Sequence, residues 1–175
     1  EAVAAALTFQ NEFDLIVSFA CLHWVHDHAA VLSGLHRSLK VGGRIFLQFG
    51  GKGNAGEIMD LMPEVLSDSA WRSSFTDFQS PWIFYGAEDY AALLRAAGLR
   101  PERVELLPRP APMTLEEIKN WMRPVWIPYL RRFPENRQEE FLDDVLRRYQ
   151  RGRAPDARGR WTLSMMRLEV EAFRD

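Results

Sequence analysis

The chain has 175 residues, 47% hydrophobic and 26% charged, the proportions of a globular domain with an ordinary core. Its 22 basic and 24 acidic residues leave a net charge of −2, so neither nucleic acid nor an anionic membrane surface is expected as a partner. One cysteine excludes an internal disulfide framework and suits a reducing compartment such as the cytoplasm, and no apolar run reaches the about 18 residues of a membrane span.

The first strong signal in chain order is Phe13-Asp14-Leu15-Ile16-Val17-Ser18-Phe19, a short apolar run without clean alternation. It predicts a strand over 13–19, buried on both faces as in a parallel sheet. Asp27 is placed to cap a helix running to about Leu39, with Val31, Leu32, Leu35 and Leu39 at helical spacing. Gly42-Gly43 then reads as the left-handed turn that stops this helix, and Arg44–Phe49 as a second buried strand. Strand, helix and strand in this order predict a right-handed βαβ unit. Gly50-Gly51-Lys52-Gly53-Asn54 reads as a flexible surface loop at the carboxyl edge of the sheet. Ile58 to Leu66 predicts a helix that Pro63 kinks or opens. Residues 71–86 are aromatic and irregular. A short helix over 88–97 closed by Gly98 follows, then a strand over 102–107 and a stiff connector through Pro108, Pro110 and Pro112. Thr114 with Glu117 makes a capping box that opens a helical insertion over 114–160. Thr162–Phe173 reads as the last strand. These segments divide the chain into a core over 1–113, the insertion over 114–160 and a closing strand over 161–175.

With those residues assembled, the chain resembles the C-terminal half of class I S-adenosylmethionine-dependent methyltransferases, in the trans-aconitate methyltransferase-like branch. The matching features are Phe13-Asp14-Leu15-Ile16-Val17-Ser18, Leu22-His23-Trp24-Val25, the Leu39-Lys40-Val41-Gly42-Gly43-Arg44 turn, and Tyr85-Gly86 before a helix ending Ala97-Gly98-Leu99. The resemblance implies an α/β fold, a partial Rossmann-like methyltransferase sheet. In it 13–19 is strand four, 44–49 strand five, 102–107 strand six and 162–173 an antiparallel strand seven. It also implies that the glycine-rich cofactor loop and the acidic residue after strand two precede Glu1. Leu7-Thr8-Phe9 is similar to the end of the family's third segment, but Val3 or Ala4 stands where the family carries an acidic residue.

By the same resemblance the backbone of Ser18, Phe19 and Ala20 contacts S-adenosylmethionine, while Leu22, His23 and Trp24 face a small-molecule methyl acceptor. Methyl transfer from a sulfonium needs alignment and exclusion of water rather than a metal. His23 is the candidate catalytic residue, as a base or as a hydrogen-bond donor to an acceptor carboxylate. A packed histidine at a strand end is the competing reading. Trp121 and Trp126 are the aromatics of the insertion that suit an acceptor pocket under a lid; fastening the insertion to the sheet is their other use. His23, His26, Asp27 and His28 match no zinc spacing, so no metal is expected. Cys21 reads as a small buried residue. The function expected is O-methylation of an organic acid by the complete protein, the isolated chain being inactive with weak or no cofactor binding. The alternatives are a non-catalytic interaction module on the same half-fold and a dehydrogenase-like fragment, the latter disfavoured by the lack of any Gly-x-Gly-x-x-Gly. In the family's order strand one pairs with strand four. Residues 13–19 are therefore expected to form a bare apolar edge, through which the chain forms a homodimer.

Overall fold

The computed structural model describes residues 4–175, so Val3 lies outside the described residues and Ala4 opens a single 3-10 turn over Ala4–Ala6. The chain forms two compact units. The first gathers the residues up to 54 with 82–109 and 166–175. The second gathers 55–81 with 110–165, so it starts four residues before the expected insertion, ends five after it, and takes in the aromatic segment near Trp71 as well.

The first unit is built on β1 (Phe13–Phe19), α1 (His28–Ser38) and β2 (Leu39–Gly50). Asp27 caps α1 as its sequence position suggests: Oδ1 accepts from the Ala30 N–H at 2.9 Å. The helix does not end on glycine. Leu39 turns straight into extended backbone and buries its side chain, and Gly42 takes its left-handed φ of 78° three residues later. Gly43 is required by a close approach instead, because a Cβ there would lie 2.9 Å from the Lys40 carbonyl oxygen and 3.1 Å from that of Phe13. The chain continues through α2 (Gly56–Met59) and α3 (Met62–Ser67), with Pro63 in the first turn of α3. α4 (Ala87–Ala96) comes next, and β3 (Arg100–Met113) runs on through the proline connector, whose backbone is extended. α5 (Leu115–Val125), α6 (Ile127–Leu130) and α7 (Glu135–Tyr149) precede the last strand, β4 (Trp161–Phe173).

The sheet has the order β1-β2-β4-β3. β1 and β2 are parallel, with Val17 opposite Phe46, and β2 and β4 are antiparallel, with Gln48 opposite Glu169. This is the strand pattern four, five, seven, six that the family resemblance implies, and the fold is a mixed α/β sheet of Rossmann-like methyltransferase type. Alternation along β2 sends Ile45, Leu47 and Phe49 into a core shared with Val31, Leu32 and Leu35 of α1 and with Tyr90 and Leu94 of α4. Each such side chain stabilises the fold by about 1.5–3 kcal/mol. The other face is polar along its centre. Gln48 donates to Glu169 at 2.8 Å, Arg103 donates to the same carboxylate at 3.1 Å, and Arg44 pairs with Glu171 at 3.2 Å. β1 is not buried on both faces. It is the edge of the sheet, and Leu15, Val17 and Phe19 are 48%, 52% and 57% exposed. A strand with one neighbour and one uncovered face cannot hide alternate residues, whatever its hydrophobicity.

In the second unit the capping box is complete: the Thr114 hydroxyl accepts from the Glu117 N–H at 3.2 Å, and the Glu117 carboxylate accepts from the Thr114 N–H at 2.7 Å. Its core is aromatic: Trp71 meets Phe133 and Phe141 edge-on at 5.2 and 5.3 Å, and Phe75 meets Phe133 edge-on at 5.3 Å and Phe141 at a tilt at 5.6 Å. This explains why residues 71–81 join the insertion. Arg148 is buried and reaches Glu64, Asp68 and Asp144, while the Trp71 indole N–H also donates to Asp144 at 2.9 Å. No helix among the described residues is long and apolar enough to cross a membrane.

Candidate functional site

In an open α/β sheet, ligands bind outside the carboxyl ends of the parallel strands. In the first unit those ends are Phe19 of β1 and Gly50 of β2. Ala20 leaves β1 with a left-handed φ of 52° while its N–H still donates to the Gln48 carbonyl at 2.8 Å. The turn presents Ser18, Phe19, Ala20 and the exposed thiol of Cys21 at the tip. These residues carry no charge and offer a ligand backbone groups and shape. A 3-10 turn over Leu22–Trp24 comes next. It drives Leu22 into the core, so the side chain expected to face an acceptor packs beneath the sheet.

Trp24 stays exposed at this end, with His23 half-buried beside it. The Gly50 N–H donates to His23 Nδ1 at 3.3 Å, and the His23 carbonyl accepts from Ile83 at 3.0 Å. An aromatic row runs from the imidazole: His23 to Trp24 at 5.6 Å, Trp24 to Trp82 at 5.4 Å, and Trp82 stacked on Phe84 at 6.5 Å. Phe84 returns to within 6.2 Å of His23 and closes the row. Trp82 and Phe84 were not singled out as site residues from sequence. Their signal was the density of aromatics in 71–86, which splits between the two units.

Burial, aided by nearby Arg167 and His28, lowers the His23 pKa to about 4. The ring is therefore neutral at pH 7. Because Nδ1 accepts from Gly50, the single ring proton sits on Nε2. His23 in this state offers a hydrogen-bond donor rather than a base. Behind it, His28 is buried at the start of α1, with Nδ1 3.2 Å from the Tyr90 hydroxyl and its pKa also lowered by burial. It belongs to the core and holds the tip in place.

The loop after β2 is clamped rather than flexible. Gly51 and Lys52 donate to the carbonyls of Met166 and Tyr85 at 3.1 and 2.9 Å. Asn54 Oδ1 accepts from the Met166 N–H at 3.0 Å and from the Arg167 guanidinium at 3.2 Å. Gly50 must be glycine, since a Cβ would lie 2.8 Å from the Phe84 ring and 3.2 Å from Asn54. Trp121 and Trp126 belong to the second unit. Trp121 is half-buried on α5; Trp126 is 1% exposed, its ring 5.0 Å from Tyr129, in that unit's core. Among the described residues no group of three or more His, Cys, Asp or Glu could hold a metal.

The family described as "Methyltransferase domain" matches residues 1–47. An uncharacterized methyltransferase of Schizosaccharomyces pombe is 27% identical over 173 residues, spanning 94% of this chain and 64% of the relative. Juvenile hormone acid O-methyltransferase of Drosophila melanogaster is 28% identical over 141 residues, spanning 78% of this chain and 47% of the relative. The chain thus spans between about half and two thirds of the curated relatives it matches. Among solved structures, loganic acid methyltransferase with SAH covers 99% of the chain at a TM-score of 0.70 and 13% identity, and the chain covers 65% of it. The YcgJ protein of Bacillus subtilis covers 99% at a TM-score of 0.61 and 12% identity, with 69% of its own length covered. At such identities the two structures establish the fold alone.

Proposed function

We propose that this chain, which family segment, curated relatives and fold together indicate to be a class I S-adenosylmethionine-dependent methyltransferase, is the acceptor-side portion of an enzyme that O-methylates the carboxyl group of a small organic acid. The observation that carries the reading is the neutral His23 with its proton on Nε2, facing an aromatic row at the carboxyl end of the sheet. When bound at the tip formed by Ser18, Phe19 and Ala20, S-adenosylmethionine would supply an electrophilic methyl group and leave as S-adenosylhomocysteine. A carboxylate acceptor is already a nucleophile and needs no base, so a histidine that only donates a hydrogen bond suits it. His23 Nε2–H then fixes one carboxylate oxygen and leaves the other to accept the methyl. Trp24, Trp82 and Phe84 hold the apolar body and keep water out. The relative named for juvenile hormone acid supports an acid acceptor. It supports the class rather than the trans-aconitate branch. The exposed free thiol of Cys21 suits a reducing compartment, the cytoplasm.

The test compares this chain with a version extended N-terminally by about one hundred residues, a length set by domain size. Calorimetric titration with S-adenosylmethionine is expected to show binding by the extended protein and weak or no binding by the present chain. Absence of binding by both overturns the reading in favour of an interaction module.

A further inference from the structure

We propose that Arg167 binds the carboxylate of the acceptor alongside the Nε2–H of His23, making the site selective for acids over their neutral analogues; the proposal rests on the methyl-transfer reading above. Gly50 ties the two residues together. Its N–H bonds His23 Nδ1, and its cross-strand neighbour in the antiparallel β2–β4 pair is Arg167. Directly opposed residues of an antiparallel pair lie about 4.5–5.5 Å apart at Cα, so Arg167 stands beside the strand end whose N–H holds His23. Both groups therefore stand at the carboxyl end of β2, where the aromatic row of Trp24, Trp82 and Phe84 begins.

The charge of Arg167 is not neutralised as its neighbours' charges are. On the same sheet Arg44 pairs with Glu171, Arg103 with Glu169, and Arg100 with Asp175. Among the described residues Arg167 forms no ion pair. Its guanidinium donates to the neutral amide oxygen of Asn54 at 3.2 Å. Asn54 is itself anchored by the Met166 N–H at 3.0 Å, so the arginine is held in place without losing its charge. A half-buried guanidinium pays part of its desolvation cost and leaves donors free for an anion. Its fork matches the two oxygens of a carboxylate. A neutral imidazole next to it adds a donor without a second positive charge, a combination matched to a monoanion. The depressed pKa of His23 agrees with this arrangement, since burial first and the nearby Arg167 cation second keep the ring neutral.

The experiment uses the N-terminally extended protein and reads tryptophan fluorescence on titration with phenylacetate, octanoate and cinnamate, each against its amide. The wild type is expected to bind at least one acid about tenfold or more tighter than its amide, the scale of a hydrogen bond to a charged group. Arg167→Gln is expected to erase that preference with amide binding unchanged, and Arg167→Lys to restore part of it. A merely structural role would weaken acid and amide together. No acid preference in any of the three pairs, or a preference that survives Arg167→Gln, overturns the proposal. Titration with S-adenosylhomocysteine in parallel separates the two failures. Loss of cofactor binding with the acid preference intact removes the methyl-transfer reading and leaves Arg167 an acid-binding residue.

Discussion

A single backbone N–H decides what His23 can do. Gly50 donates to Nδ1, so a ring kept neutral by burial must carry its proton on Nε2. A base would need that nitrogen free. In the unfolded chain the imidazole titrates near 6.5, and in the folded chain near 4. Between those values the unfolded state binds more protons, so stability is complete above pH 6.5 and falls as pH drops from 6.5 towards 4. We expect the His23 nitrogen resonances to stay those of the neutral Nε2–H tautomer from pH 8 down to about 5 by NMR, ordinary histidines titrating in that range. Titration near 6.5 would contradict the site as described. The residue itself was legible in Leu22-His23-Trp24, with base and donor as open alternatives; local sequence could not choose the donor role. That role depends on Gly50 and Arg167, which are 27 and 144 residues away and meet His23 only once β2 has paired with β1 and β4.

Elements whose signals are local were read well, and those set by neighbours were not. The Asp27 cap and the Thr114–Glu117 box each satisfy orphan helix N–H groups within three residues, so the sequence alone specifies them. Gly42-Gly43 looked like a helix stop, but the helix ends where Leu39 gains more by entering the core, and the glycines serve a close approach to Phe13. Pro108, Pro110 and Pro112 suggest a break after the strand, although an edge strand tolerates proline and the backbone stays extended through Met113. The box offers a clean measurement at this scale. Thr114→Ala removes the acceptor for the Glu117 N–H, which costs about 1 kcal/mol. For a domain of this size that lowers the thermal midpoint by about 2–4 °C. Thr114→Ser keeps the hydroxyl and is expected to melt close to wild type by differential scanning calorimetry; equal loss in both variants would locate the effect in packing instead.

At the scale of the whole molecule the dominant feature is the edge of β1. Leu15, Val17 and Phe19 are about half exposed on one face, and Leu7, Phe9 and Phe13 line an apolar groove of about 270 Å³ along the same strand. An exposed apolar edge is a template for another strand. Two occupants compete for it: a second copy of this chain, and the strand that, by family resemblance, precedes Glu1 in a longer protein. The competition makes the outcome depend on chain length. We propose that the present chain dimerises through 13–19, and expect a dimer by sedimentation at micromolar concentration. Val17→Lys places a charge at the centre of the exposed face and is expected to give a monomer without disturbing the core, because Val17 lies outside it. A monomeric wild type excludes the edge as a dimer contact. In the N-terminally extended protein the first strand covers the edge intramolecularly, at an effective concentration no second copy can match. The extended wild type is therefore expected to sediment as a monomer, and Val17→Lys to leave its sedimentation unchanged, because the contact that the lysine breaks in the short chain is absent there.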